Sequence, residues 1–577
     1  MHAANDIPRS RIIILLVAFI LFSMAVGYRV FSFQIVHGLD LTEQAQSFRF
    51  REDVVPADRG DILDRRGRQL ATNVPADRVS VIVNQLEDPQ ETARELSSII
   101  DRDFEEIYES ITHPDREWVV VQRRLSQEAS QQIESLDMDG IVLDPEPRRT
   151  YPMGSFAAQV LGFVNYDYEG SYGIEGAYHD LISGEPGRLI GERDAAGNVI
   201  SLGHSTWDAA EDGADLVLTV DSSVQRIVED VLAQTVDEQD AAGGTILVQD
   251  PQSGAILGMA SYPSYDPNLF DEVGDIQLFS NPAISSVYEP GSTMKALVMA
   301  IGLETGVVAP HTVHPGGPYR ELPGGERVYN ATLMDFGPET MTEVLKNSSN
   351  VGAMFVADQL GENDMYRGLT AFGFGEETGI DLNGEETGIF PLPGDSNWTL
   401  SNLYTNSFGH GMAVTPMQLV NATSALANGG RLFTPYVVEE IRNPDGSVER
   451  TDPDEVRQVI SEESSGAITR MMTEVVDSAQ GVYGVPGYDV AAKTGTAQIP
   501  AIDGGYEPGA TIGSIVGYGP SDDPQFTVLV KIDRPQESQW GEQSAGPAFR
   551  KVFEELFLLY GIPPNDPDEI QERSTGD

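Results

Sequence analysis

A serine three residues ahead of a lysine, in Tyr288-Glu289-Pro290-Gly291-Ser292-Thr293-Met294-Lys295, is where this chain could perform nucleophilic chemistry. Pro290-Gly291 halts one element, and the apolar run Ala296-Leu297-Val298-Met299-Ala300 predicts a helix beginning at about Ser292. The i, i+3 spacing puts Ser292 and Lys295 on one helical face, one turn apart. The amine can then take the hydroxyl proton, and the helix N-terminus offers N–H groups and a positive dipole end to an oxyanion. An N-capping serine explains the same residues if they are taken alone.

Two further stretches carry similar potential. In Lys346-Asn347-Ser348-Ser349-Asn350, the Ser348 hydroxyl and the Asn350 carboxamide are placed to relay a proton and hold a substrate amide. By itself a helix cap or Asx-turn accounts for them. In Val490-Ala491-Ala492-Lys493-Thr494-Gly495-Thr496-Ala497, small residues lead into Lys493 and two threonines around a glycine. On an edge strand, Gly495 would admit a substrate backbone, Lys493 would supply charge, and the Thr494 and Thr496 hydroxyls could bind a carboxylate. A surface strand bulged at glycine is the plainer reading.

Together the three are far more specific. SxxK, SxN and KTG follow in that order, with 56 and 145 residues between their lead positions. The set resembles the penicillin-binding proteins and serine β-lactamases. Upstream, Arg59-Gly60-Asp61-Ile62-Leu63-Asp64-Arg65-Arg66-Gly67 with Leu70-Ala71 looks like the first pedestal motif of class B penicillin-binding proteins. Arg148-Arg149-Thr150-Tyr151-Pro152-Met153-Gly154 and Gly173-Ile174-Glu175 look like its next two. Gly409-His410-Gly411-Met412-Ala413-Val414-Thr415-Pro416 resembles the loop ahead of the last motif strand. Glu289-Pro290-Gly291-Ser292 is similar to the division branch, although Asn281-Pro282-Ala283 stands where division enzymes often carry Asn-Arg-Ala.

The resemblance implies a serine D,D-transpeptidase that cross-links peptidoglycan stem peptides ending in D-Ala-D-Ala during septal wall synthesis and is acylated by β-lactams. It implies Ser292 as nucleophile and Lys295 as base, with Lys493 lowering the pKa of that base. Ser348 would pass the proton to the leaving amine, Asn350 would bind a substrate amide, and the Ser292 and Thr496 backbone N–H groups would hold the oxyanion. No metal or organic cofactor is implied. A membrane-embedded glycan polymerase and division proteins are the implied partners. The Arg-rich pedestal motifs imply ion-paired packing between pedestal and anchor. The alternatives are an elongation-type enzyme, a β-lactamase or D,D-carboxypeptidase, and a non-catalytic β-lactam-binding scaffold.

The elements that must position these groups are also readable. Residues 12–36 form an apolar run preceded by Arg9 and Arg11, predicting a single transmembrane anchor with a cytoplasmic tail at 1–11 and the rest exported. A cleaved signal peptide ending at Ser23-Met24-Ala25 is the rival. A mixed pedestal is expected over 37–210, a transpeptidase domain over 215–562 and an acidic disordered tail over 563–577. Helices are predicted at 87–100, 126–136, 222–236 and 546–560. Strands are predicted at 216–220, 245–250, 255–260 and 526–532. The fold class is α+β, with helices packed on a largely antiparallel sheet.

Composition narrows the field. Ninety acidic against 36 basic residues give a net charge of −54, which excludes a phosphate-binding, nucleic-acid role. Cysteine is absent, so disulfides and thiolate chemistry are excluded. Only five of the basic residues are lysines, at 295, 346, 493, 531 and 551. Arginine serves elsewhere and cannot be deprotonated, so each lysine marks a candidate chemical position. His311 and His314 lie three apart beside Pro310 and Pro315, where a solvated loop is expected rather than a zinc site.

Overall fold

The computed structural model describes residues 9–37, 50–192, 205–322, 324–331, 333–479, 481–501 and 504–569. Residues 1–8 of the expected cytoplasmic tail and 570–577 of the expected acidic tail lie outside these. The chain divides into two compact units, one of residues 1–58 with 184–213 and one of 59–183 with 214–577.

In the first unit, Arg9–Phe31 is α-helical and continues into a π-helical turn, Ser32–Val36. Among the described residues, Ser10–Val36 is the one helix long and apolar enough to cross a membrane. The same unit holds a three-stranded antiparallel sheet of Phe50–Val55, Gly187–Glu192 and Ser205–Asp208.

The second unit is built around a five-stranded antiparallel sheet: β1 Gly243–Gln249, β2 Ile256–Tyr262, β3 Ala491–Pro500, β4 Tyr506–Gly519 and β5 Phe526–Asp533. Its spatial order is β2-β1-β5-β4-β3, which leaves β3 on an edge. Period-two alternation splits the strands between two cores. Ile246, Val248, Val528 and Val530 face α1 (Ser222–Glu238) and the terminal helix Gly546–Tyr560, meeting Val228, Phe549 and Phe553. Leu247, Met259, Val516 and Leu529 face the opposite core, with Leu297 of α2 (Met294–Glu304) and Leu419 of the helix Pro416–Ala427.

Capping chemistry trims the predicted helices. The first pedestal helix runs Pro89–Ile99 because Asp88 caps it, accepting from the Gln90 and Glu91 amides. Ser126 likewise caps Gln127–Glu134, accepting from Ala129. The strand expected at 216–220 runs Asp215–Leu218. It pairs in parallel with Ile62–Leu63 and antiparallel with Val438–Arg442, inside a six-stranded sheet that also contains Gln69–Val74, Arg148–Thr150 and Val448–Arg450. Within the described part of the expected tail, Asp566 N–H donates to Gly487 O and Glu569 accepts from Gly487 N–H.

The pedestal arginines are paired within the second unit. Arg59 Nε and Arg149 Nε donate to the two oxygens of Glu175 at 2.7 and 2.6 Å, and Tyr151 OH donates to the same carboxylate at 3.2 Å. All four side chains are buried. Burial alone would raise the Glu175 carboxyl; Arg149 and Arg59 overcome it and hold the group below its ordinary range. Arg66 reaches Asp221, the cap of α1, at 2.7 Å. Glu175→Ala would strand two buried guanidinium groups. It is expected to cost about 3–5 kcal/mol, read as a lower urea midpoint for the full-length protein in detergent.

Candidate active site

The nucleophile turn differs from the predicted helix start. Gly291–Thr293 is a 3-10 turn, and the α-helix α2 begins only at Met294. Crowding explains it. Gly291 has φ +57, its N–H donates to Gly409 O at 3.1 Å, and a Cβ on it would lie 2.7 Å from Thr496 O. A Cβ on Gly409 would in turn meet Gly291 O at 2.1 Å. Two glycines therefore let the turn sit between the 409–411 loop and β3.

The three motifs meet at Lys295. Its Nζ lies 2.9 Å from Ser292 Oγ, 3.2 Å from Ser348 Oγ, 2.6 Å from Ser348 O and 2.8 Å from Asn350 Oδ1. Lys493 Nζ stands on the other side of Ser348 Oγ at 3.1 Å, and donates to Thr494 O at 3.2 Å. Both lysines are only 1% exposed, whereas Ser292 and Ser348 are half-buried. Ser348 takes a left-handed φ of 52 between the helix Met341–Lys346 and α3 (Asn350–Ala371). Ser349 caps α3 by accepting from Gly352 N–H at 3.1 Å.

The two amines are in different electrostatic states. Burial pushes Lys295 well below the ordinary lysine value, and the nearby Lys493 charge pushes it further. Burial brings Lys493 down to about 8, with Glu542 pulling the other way. Both shifts favour the neutral amine, and only at Lys295 does a neighbouring cation add to burial. A neutral amine has two N–H bonds and one lone pair. The Ser348 and Asn350 carbonyl oxygens can only accept, so they take both N–H bonds. The lone pair is left for the Ser292 hydroxyl.

Several placements add to or differ from the sequence reading. Gly495 lies on the edge strand as expected, but its missing side chain faces inward. A Cβ there would meet Ser514 Oγ at 2.7 Å, Pro290 O at 2.8 Å and Thr293 Cγ2 at 2.9 Å, so the glycine makes room for the nucleophile turn. The Thr496 hydroxyl accepts from Gly541 N–H at 2.8 Å, while its amide nitrogen stands 3.4 Å from the Gly291 Cβ position. The Asn350 Nδ2 donates to Tyr329 O at 2.9 Å. Lys346 is exposed. Lys531 is buried beside Asp533 and over the Tyr288 ring, behind the nucleophile turn. His314 is not in a solvated loop; it is buried on the short strand Val313–His314 against Phe355.

Sequence reasoning missed the supports of the turn. Glu289 Oε1 accepts from Gly411 N–H at 2.8 Å, and Tyr506 OH donates to Glu289 Oε2 at 3.0 Å. His410 packs between Phe408 and Tyr506, and burial pushes it towards the neutral form. The only signal available was the nearness of Glu289 to Ser292.

Comparison with known proteins places these features in a wider set. The penicillin binding protein transpeptidase domain matches residues 244–554, and the penicillin-binding protein dimerisation domain matches 54–218. Stage V sporulation protein D of Bacillus subtilis is 34% identical over 571 residues, covering 98% of this chain and 88% of that protein. The peptidoglycan D,D-transpeptidase FtsI of Escherichia coli is 28% identical over 545 residues, covering 93% and 90%. Among solved structures, a peptidoglycan synthetase from Bifidobacterium adolescentis superposes with a TM-score of 0.72 at 27% identity, covering 90% of this chain and 98% of that one. Penicillin binding protein 3 of Mycobacterium tuberculosis, complexed with aztreonam, gives 0.69 at 27% identity, covering 89% and 99%.

Proposed function

From the premise that this chain belongs to the class B penicillin-binding proteins, the peptidoglycan D,D-transpeptidases, we propose that Ser292 is its acylated nucleophile and Lys295 the base that activates it. The observation that carries this is the 2.9 Å contact between Ser292 Oγ and a buried Lys295 amine driven towards neutrality. The Ser292 oxygen attacks the carbonyl of the penultimate D-alanine while its proton passes to Lys295 Nζ. The backbone N–H groups of Ser292 and Thr496 hold the oxyanion, each donor contributing on the order of 3 kcal/mol. As the C–N bond breaks, a proton moves through Ser348 Oγ, flanked by Lys295 and Lys493, to the departing D-alanine amine. An amine of a neighbouring stem peptide then attacks the ester. It forms the cross-link and returns the Ser292 hydroxyl. Asn350 orients Lys295 and, with Thr494, Gly495 and Thr496, lines the strand edge along which the stem peptide lies.

Along the chain this reading assigns 12–36 to the anchor, 37–210 to the pedestal and 215–562 to the transpeptidase domain, with the N-terminus cytoplasmic and the catalytic domain outside. A membrane glycan polymerase supplies the strands, and septal wall is the proposed site of action. The sporulation relative makes a spore wall the competing one. The chemistry is tested by incubating purified full-length protein in detergent with lipid-linked glycan carrying pentapeptide stems and a polymerase. Released D-alanine matched by dimeric stem peptides supports it. D-alanine released without dimers would make the protein a hydrolase. A fluorescent fusion in dividing cells separates septum from spore.

The charge on Lys493 gives a pH prediction. Its value of about 8 means that the cation is present below that pH and lost as pH rises through it. Acylation is expected to fall along a basic limb near that value. Lys493→Arg, which stays charged, should remove that limb even if it lowers the plateau.

A further inference from the structure

Behind the Ser348 turn lies a buried carboxylate that the scheme above does not use. Glu339 is 3% exposed and stands directly across the strand pair from His314. The chain then forms the six-residue helix Met341–Lys346, closed at its start by a Thr340–Glu343 capping box. At the far end, Asn347 Nδ2 donates to Glu339 Oε1 at 3.0 Å. One carboxylate thus ties the entrance of this helix to its exit. The next residue is Ser348, held at φ 52 in a region non-glycine residues use sparingly, with its carbonyl and hydroxyl both at Lys295 Nζ.

We propose that Glu339 is a positioning residue of the transpeptidation site: through Asn347 it holds Ser348 in the relay geometry at Lys295, and its negative charge bears on that amine. The inference rests on the reading of Ser292 and Lys295 given above. Other groups acting on Lys295 are Ser292 on its own turn, Ser348 and Asn350 at the start of α3, Lys493 on β3, and His410 on the 409–411 loop. Burial and Lys493 lower Lys295, and Glu339 acts in the opposite direction. Glu339 itself faces Asn347 and His314. Burial pushes His314 down, Glu339 pulls it back up, and Arg320 adds to the lowering. A carboxylate that served only as a staple would not move the titration of the base.

The test is the second-order rate of acylation by a fluorescent penicillin across pH, using full-length protein in detergent. Glu339→Gln keeps an oxygen for Asn347 and removes the charge. Without that charge Lys295 releases its proton more readily, so the acid limb should move to lower pH by about 0.5–1 unit. Glu339→Ala also removes the tie to Asn347 and should lower the plateau about tenfold or more. An acid limb for Glu339→Gln that superimposes on the wild type overturns the proposal. If Glu339→Ala does not fold, the Glu339→Gln limb alone decides. Labelling of wild type that survives Ser292→Ala would instead overturn the parent reading. Ser292-dependent labelling with an unmoved limb rejects Glu339 alone.

Discussion

Ser292→Ala is expected to leave the protein folded and to abolish covalent labelling by penicillin. The loss should approach the six orders of magnitude seen when a serine nucleophile is removed from a catalytic unit. The geometry explains why nothing nearby should substitute. Ser348 Oγ stands 3.2 Å from the same amine, but it sits on a left-handed turn with Lys493 at 3.1 Å on its other side. The Ser292 amide belongs to the turn packed against β3, where the oxyanion would lie. Intact-mass analysis after incubation with benzylpenicillin should show one adduct on the wild type, mapped to the peptide containing Ser292, and none on the variant. A stoichiometric adduct on the variant would place the nucleophile elsewhere.

Replacing the base should be nearly as severe and should leave a second signature. Lys295→Met removes the proton acceptor and is expected to slow acylation by about 10³–10⁴-fold. Lys295→Arg should be no better, because a guanidinium cannot give up its proton. In the wild type, acylation needs the neutral amine, so the rate falls on the acid side as pH drops through the lowered Lys295 value. Stability should follow pH in the same direction. In the unfolded chain the amine titrates near 10.5, so between the two values folding expels a proton and stability rises with pH. Lys295→Met takes away that penalty. At neutral pH it should melt no lower than the wild type, and its urea midpoint should depend less on pH. A variant that lost activity together with stability would point to a structural lysine instead.

Much of the chemistry could be read from residue type and spacing. Ser292 and Lys295 share a helix face by sequence distance alone, and the rarity of lysine singled out Lys493. The strands at 245, 255 and 526 and the helices at 222 and 546 were readable from local patterning, whereas the strand Tyr506–Gly519 was not predicted. Caps such as Asp88 and Ser126 moved the predicted ends by a residue or two. The partners of the strand predicted at 216–220 were harder to read. Strand Asp215–Leu218 hydrogen-bonds to Ile62–Leu63, a pairing between segments about 150 residues apart that no local pattern encodes.

What residue identities determined by themselves was the inventory: which side chains can attack, accept a proton or carry charge, and which segment is apolar enough for a bilayer. What only the folded chain decided was their state. Lys295 and Lys493 are the same amino acid on paper. Lys295 is driven well below the ordinary lysine value and Lys493 to about 8, because a neighbouring cation adds to burial at the first and Glu542 opposes burial at the second. The same holds for Gly495, whose missing side chain is filled by the nucleophile turn, and for Glu339, which reaches Asn347 across a whole helix. Desolvation and Coulomb forces depend on distances through space, and those exist only once remote stretches of chain have packed together.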